Sequence, residues 1–164
     1  MTICVVKNFL KKEDFTHLEN VMHGEFFPWY LNSVARPKDG FHQLVHIFYN
    51  DTVNSPFFTE LKPILDILKP RKLIRIKANI LFQTPTLVEH GYHVDMDEQH
   101  HTAILYLNSN NGYTQFREGK KITSEKNKLI KFNGSLWHTG SSCTDQHHRT
   151  VINFNYIPKK GTVL

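Results

Sequence analysis

Between residues 72 and 157 the sequence is a succession of short β-rich runs: KLIRIKANILF, GYHVDM, TAILYLNS, KNKLIKF, GSLWH and RTVINFNYI. Turn signals such as SNNG and FNG part them. Short runs rich in β-branched and aromatic residues, bounded by Gly, Asn and Ser, read as strands. The first run also alternates. Ile74, Ile76, Ala78, Ile80 and Phe82 fall on one face, and Arg75, Lys77, Asn79 and Leu81 on the other, because successive strand side chains point to opposite sides.

The first 71 residues have a different texture. Residues 2–9 (TICVVKNF) and 43–49 (QLVHIFY) read as strands. Between them residues 11–23 carry Phe15, Leu18 and Met22 at helical spacing, and Gly24 and Pro28 break the pattern. SPFFTELKPILDILKP reads as a helix starting near Ser55, with Pro56 in its first turn and Pro63 forcing a kink or a restart. Helices early and strands late predict an α+β protein, with helices packed on one side of a β-sandwich or barrel. A length of 164 residues, against about 150 per domain, predicts one domain.

Composition serves mainly to exclude. An apolar fraction of 40% with 21% charged residues argues against disorder. No apolar run approaches the roughly 20 residues of a membrane span. The opening MTICVVKNFLKKEDF lacks the basic start and small-residue cleavage site of a signal peptide, so a cytoplasmic protein is expected. Cys4 and Cys143 make neither a disulfide framework nor a thiolate metal site. The net charge of +5 permits anionic partners without demanding nucleic acid. Five basic residues crowd into Lys69–Lys77, but strand alternation divides them between two faces.

His93-Val94-Asp95 carries the chemistry. On a strand, residues i and i+2 share a face, so an imidazole and a carboxylate converge. His138, 43 residues after Asp95, is the natural third ligand of a facial His-His-carboxylate site, which leaves coordination positions open and suits Fe(II) oxygenases. Arg149 follows 11 residues later, and arginine grips carboxylates with two donors. The pairs His17-Leu18-Glu19 and His23-Gly24-Glu25 have the same spacing. The first sits in a helical pattern, where i and i+2 do not face each other, and the second is interrupted by glycine. His100 and His101 read as loop residues near the mouth of the site, and His147 and His148 as a surface turn.

The runs HVDMDEQHHTAILYLNSNNGYTQF, KNKLIKFNGSLWHTGSS and HHRTVINFNY resemble the core of the 2-oxoglutarate/Fe(II)-dependent oxygenases. The likeness is to their prolyl 4-hydroxylase-like branch and to small phage and marine bacterial members. It implies a double-stranded β-helix, or jelly-roll, over residues 72–157, with residues 1–71 as helical support with edge strands. It implies Fe(II) on His93, Asp95 and His138, with 2-oxoglutarate and O2 as cosubstrates. The distal carboxylate of 2-oxoglutarate would lie on Arg149 and Tyr106, with Asn153 and Asn79 as further polar contacts. The implied reaction hydroxylates a C–H bond of a peptide, prolyl residues included, or of a small molecule, releasing succinate and CO2. Asn111-Gly112-Tyr113-Thr114 stands where the family often has Gly-Gly-Glu-Thr. A tyrosine common before the His-x-Asp motif is replaced by Asn79 or Leu81. Both departures lie on the substrate side. The same chemistry on nucleic acid and a zinc-binding jelly-roll module are the alternative readings.

Overall fold

The apolar face of the first long run is covered by helices, and its polar face turns toward a second, smaller sheet. A computed structural model describes residues 2–33 and 40–159. Among these the elements are β1 (Ile3–Val6), α1 (Lys12–Met22), β2 (Tyr30–Ser33), β3 (His42–Asn50) and β4 (Thr52–Val53). A 3-10 helix (Pro56–Leu61) leads into α2 (Lys62–Leu68) and β5 (Lys72–Phe82). Then come β6 (His101–Tyr106), β7 (Tyr113–Phe116), β8 (Lys121–Thr123), β9 (Lys128–Asn133), β10 (His138–Gly140) and β11 (His148–Ile157).

Eight strands form one antiparallel sheet in the order β1-β9-β6-β11-β5-β3-β2, with β4 beside β3, and three form a second, β10-β7-β8. Neither sheet closes. This is the predicted jelly-roll. The first 71 residues supply both edges of the large sheet, β1 and β2, as well as the helices.

Alternation along the central strands divides the core in two. Ile76, Ala78, Ala103, Leu105, Ile152 and Phe154 turn to the helical side, where Phe15, Leu18 and Met22 of α1 meet them. Ile104, Tyr106, Ile130, Phe132 and Val151 turn to the small sheet and meet Phe116 and Ile122. Burying such side chains removes about 1.5–3 kcal/mol each from the unfolded side of the balance. Glu13 and Asp14 lie in the first turn of α1, where the helix dipole favours acids. Ser55 accepts a hydrogen bond from the Phe57 amide at 3.1 Å and caps the 3-10 helix. Pro63 lies in the first turn of α2, a position that needs no amide donor. The predicted restart at Pro63 is therefore what the chain does.

Three expectations are corrected. The 2–9 strand is shorter, because after Val6 the chain leaves β9 and Asn8 adopts a positive φ of 48°. GSLWH contributes a strand only from His138, because Leu136 closes a turn on Asn133. GYHVDM is not a strand. It touches the small sheet at one bridge, His93 to His138.

Candidate metal centre and its cavity

That bridge builds the site. The His93 amide donates to the His138 carbonyl at 2.9 Å, and the His138 amide returns the bond at 3.0 Å. The pairing brings the two imidazoles together, with ring centroids 4.9 Å apart. Each Nδ1 donates to a backbone carbonyl two residues earlier, His93 to Gly91 at 3.1 Å and His138 to Leu136 at 2.9 Å. A carbonyl only accepts, so Nδ1 carries the proton and the Nε2 lone pair points outward. His93 Nε2 lies 3.8 Å from Asp95 Oδ1, and His138 Nε2 lies 3.9 Å from Asp95 Oδ2. One ligand atom from each of the three residues lies within 4.8 Å of the others, and among the described residues they form the sole group of this kind.

The protonation states suit a cation. Burial on its own would raise the Asp95 carboxyl. His138, Arg75, the Asn155 hydrogen bond and His93 more than reverse this and hold it at about 2. Burial pushes the His138 imidazole down, with His93 acting the same way and Asp95 opposing. The donor set is one carboxylate and two imidazoles, a set that binds a divalent transition ion through neutral imidazole nitrogens with positions left open.

Beside the triad opens a cavity of about 90 Å3, room for several waters and so for a small polar molecule. Its wall includes His93, Asp95, His138, Arg149, Asn79 and Asn153, together with Thr114, Gln43 and Lys77. Arg149 is 3% exposed. Its Nε donates to Ser124 Oγ at 2.7 Å and its Nη2 to Thr114 Oγ1 at 3.1 Å, and its guanidinium lies 5.5 Å from the Tyr106 ring centre. No acidic side chain pairs with it among the described residues. Burying a charge unpaired costs several kcal/mol, and burial lowers the guanidinium's affinity for its proton. Gly112 and Gly140 make the space. A Cβ on Gly112 would come 2.7 Å from Arg149 Cδ, and one on Gly140 would come 3.2 Å from Nη1.

The predicted residues divide by position. His93, Asp95, His138, Arg149, Asn79 and Asn153 all reach the cavity. Tyr106 is completely buried and stands behind it, donating its hydroxyl to Thr114 at 2.8 Å. Burial raises the Tyr106 phenol, so it remains a donor. Asn153 donates to Asn79 at 3.3 Å, Asn79 to Gln43 at 2.6 Å, and Gln43 to the Ser33 carbonyl at 2.7 Å. His100 is buried instead of lying in an open loop, its ring packed over Gly134. His101 opens β6 and faces the Tyr156 ring, and His147 is exposed as expected, whereas His148 opens β11, half-buried against the His23 ring. Lys69 and Arg71, before β5, and Lys72 are exposed, whereas Arg75 bonds Asp95 and Lys77 lines the cavity, so the basic run is divided between solvent and the site.

Thr114, Ser124, Arg75, Asn155 and Thr102 join these residues around the site. Thr114 accepts from both Tyr106 and Arg149, so its own hydroxyl proton is left for another acceptor. Strand parity points to Asn155, which shares the face of Arg149 and Asn153. The hydroxyls had no comparable signal.

The sequence itself matches no family model and no curated protein. Solved structures share the fold. An oxidoreductase of the 2OG-Fe(II) oxygenase family from Burkholderia pseudomallei aligns over 94% of this chain and 84% of its own, with a TM-score of 0.72 at 12% identity. A Trichoplax adhaerens prolyl hydroxylase, solved with a peptide fragment of the hypoxia inducible factor oxygen degradation domain, aligns over 96% and 84%, with a TM-score of 0.63 at 15% identity. The non-heme alpha ketoglutarate dependent epimerase SnoN from nogalamycin biosynthesis aligns over 95% and 77%, with a TM-score of 0.67 at 9% identity. The chain thus has the fold on which these oxygenases are built.

Proposed function

We propose that the chain is an Fe(II)- and 2-oxoglutarate-dependent oxygenase that hydroxylates a C–H bond of a peptide or small molecule, releasing succinate and CO2. One observation carries this reading. A His-Asp-His triad and a buried guanidinium with no acidic partner among the described residues line the same small cavity. A zinc module would give Arg149 no task, and a divided basic run gives nucleic acid little to grip.

His93, Asp95 and His138 would hold Fe(II), leaving three of six octahedral positions open. When bound, the ion supplies the oxygen activation that no protein side chain can. Arg149 and the Thr114 hydroxyl would receive the far carboxylate of 2-oxoglutarate. Their geometry is set before it arrives, because Ser124 and Tyr106 already orient both groups. Asn153, Asn79 and Gln43 would form the polar wall on the β5 side. A prolyl substrate has support in the peptide bound to the Trichoplax enzyme. The epimerase neighbour shows that the fold alone does not choose the reaction.

The test is oxygen-dependent conversion of 2-oxoglutarate to succinate by purified protein loaded with Fe(II), followed by NMR without a second substrate. Slow succinate formation that stops in His138→Ala is expected. Absence of succinate together with absence of 2-oxoglutarate binding would overturn the proposal.

A further inference from the structure

The large sheet sets three polar side chains in a row beneath Asp95. In register, Asn155 of β11 lies opposite Arg75 of β5 on one side and opposite Thr102 of β6 on the other. Strand parity puts all three on the face opposite Ile76, Phe154 and Ala103, which pack under the helices. Asn155 and Thr102 are completely buried.

Their polar ends converge on one carboxylate. Arg75 Nη2 donates to Asp95 Oδ1 at 3.1 Å, and Asn155 Nδ2 donates to Asp95 Oδ2 at 2.8 Å. Asn155 Nδ2 also reaches Thr102 Oγ1 at 3.1 Å, which turns the threonine proton toward Asp95 Oδ2, 3.4 Å away. Arg75 Nε donates to Asn155 Oδ1 at 3.2 Å, so both ends of the amide are engaged and its orientation is determined. A carboxylate offers about four lone-pair sites. Two on Oδ2 are taken, against one on Oδ1. Oδ1 lies 3.8 Å from His93 Nε2 and Oδ2 3.9 Å from His138 Nε2, so proximity does not choose between them, and the oxygen left with a lone pair is Oδ1.

We infer that Arg75, Asn155 and Thr102 clamp Asp95 as a one-oxygen ligand, through Oδ1, and so keep open a coordination position that a chelating carboxylate would close. These are positioning residues. The inference rests on the metal reading above and goes beyond it by assigning which oxygen binds and what prevents the other from doing so. Released from Asn155 and Thr102, Oδ2 would be free to join Oδ1 on the metal and would compete with the cosubstrate.

The test uses Mn(II) as probe and calorimetry as readout, with no turnover involved. Wild type, Asn155→Leu and Thr102→Val are titrated with Mn(II), then with 2-oxoglutarate in the Mn(II)-loaded state. Asn155→Leu is expected to bind Mn(II) at least as tightly as wild type and to lose tenfold or more in 2-oxoglutarate affinity. Thr102→Val shows the same split, smaller, and Thr102→Ser restores wild-type values. If Asn155→Leu does not fold, the threonine pair decides alone. Unchanged 2-oxoglutarate binding in the variants would overturn the clamp. So would a matching loss of metal affinity, which marks partners that merely orient a ligand. Failure of wild type to bind Mn(II) would instead remove the metal reading itself.

Discussion

Arg149→Met separates a cosubstrate anchor from a structural cation, because the two roles predict opposite signs. Methionine matches arginine in reach and carries no charge. The guanidinium is 3% exposed and donates to the hydroxyls of Ser124 at 2.7 Å and Thr114 at 3.1 Å, with no acid paired to it among the described residues. Replacing buried ionic groups by apolar ones of similar volume is often neutral or stabilising, by about 1–4 kcal/mol. At about 2–4 °C per kcal/mol for a chain of this size, the melting temperature is expected to stay level or rise by several degrees. A carboxylate bound there loses its buried partner, which costs about 3–5 kcal/mol. At 1.4 kcal/mol per decade this is about 10^2-fold to several thousandfold in affinity. Thermal unfolding of the metal-free protein reads the first quantity, and calorimetric titration of 2-oxoglutarate into the Mn(II)-loaded protein reads the second. A variant that melts more than about 5 °C lower while binding 2-oxoglutarate like wild type would refute the reasoning.

Further outcomes follow from the same contacts. Gly112→Ala forces a methyl to within 2.7 Å of Arg149 Cδ and 2.6 Å of the Ser142 carbonyl. Overpacking of this kind costs about 1–3 kcal/mol, so a lower melting temperature and weaker 2-oxoglutarate binding are expected together. Gly134→Ala drives a methyl into the His100 ring and is expected to destabilise as much, as read by urea unfolding. His46 is buried between the Pro28 carbonyl and the Ser55 hydroxyl, both at 2.7 Å. Burial lowers its imidazole, against the Pro28 bond. With the folded value below the unfolded one, the unfolded state binds more protons as the pH falls below about 6.5, and stability falls with it. His46→Gln is expected to flatten the loss of melting temperature between pH 7 and pH 5.5.

Much of this site was legible in the sequence, though not always for the reason first read. Alternation in KLIRIKANILF assigns Asn79 and Lys77 to the cavity face, because strand parity is a local property. The His-x-Asp spacing finds two of the three clustered candidate ligands, yet no strand presents His93 and Asp95. A single backbone bridge to His138 does so, across 45 residues of chain. Tyr106 reads as a carboxylate contact, and in the structure its hydroxyl donates to Thr114 from behind the cavity. Its role depends on which hydroxyl the fold brings opposite it. Thr114, Ser124, Thr102 and Asn155 illustrate the same limit. Each acts through partners 7 to 80 residues distant in the chain, and which partner such a side chain meets is set by how distant segments come together, which composition and spacing do not encode.

The central claim is that one cavity holds both a metal and 2-oxoglutarate. Anaerobic addition of Fe(II) and then 2-oxoglutarate to metal-free protein, followed in the visible, tests it most directly. A charge-transfer band is expected that needs both additions, is absent in His138→Ala and is weakened in Arg149→Ala. No band in wild type, with tight Zn(II) binding in its place, would contradict the account and leave a metal-binding jelly-roll without oxygenase chemistry.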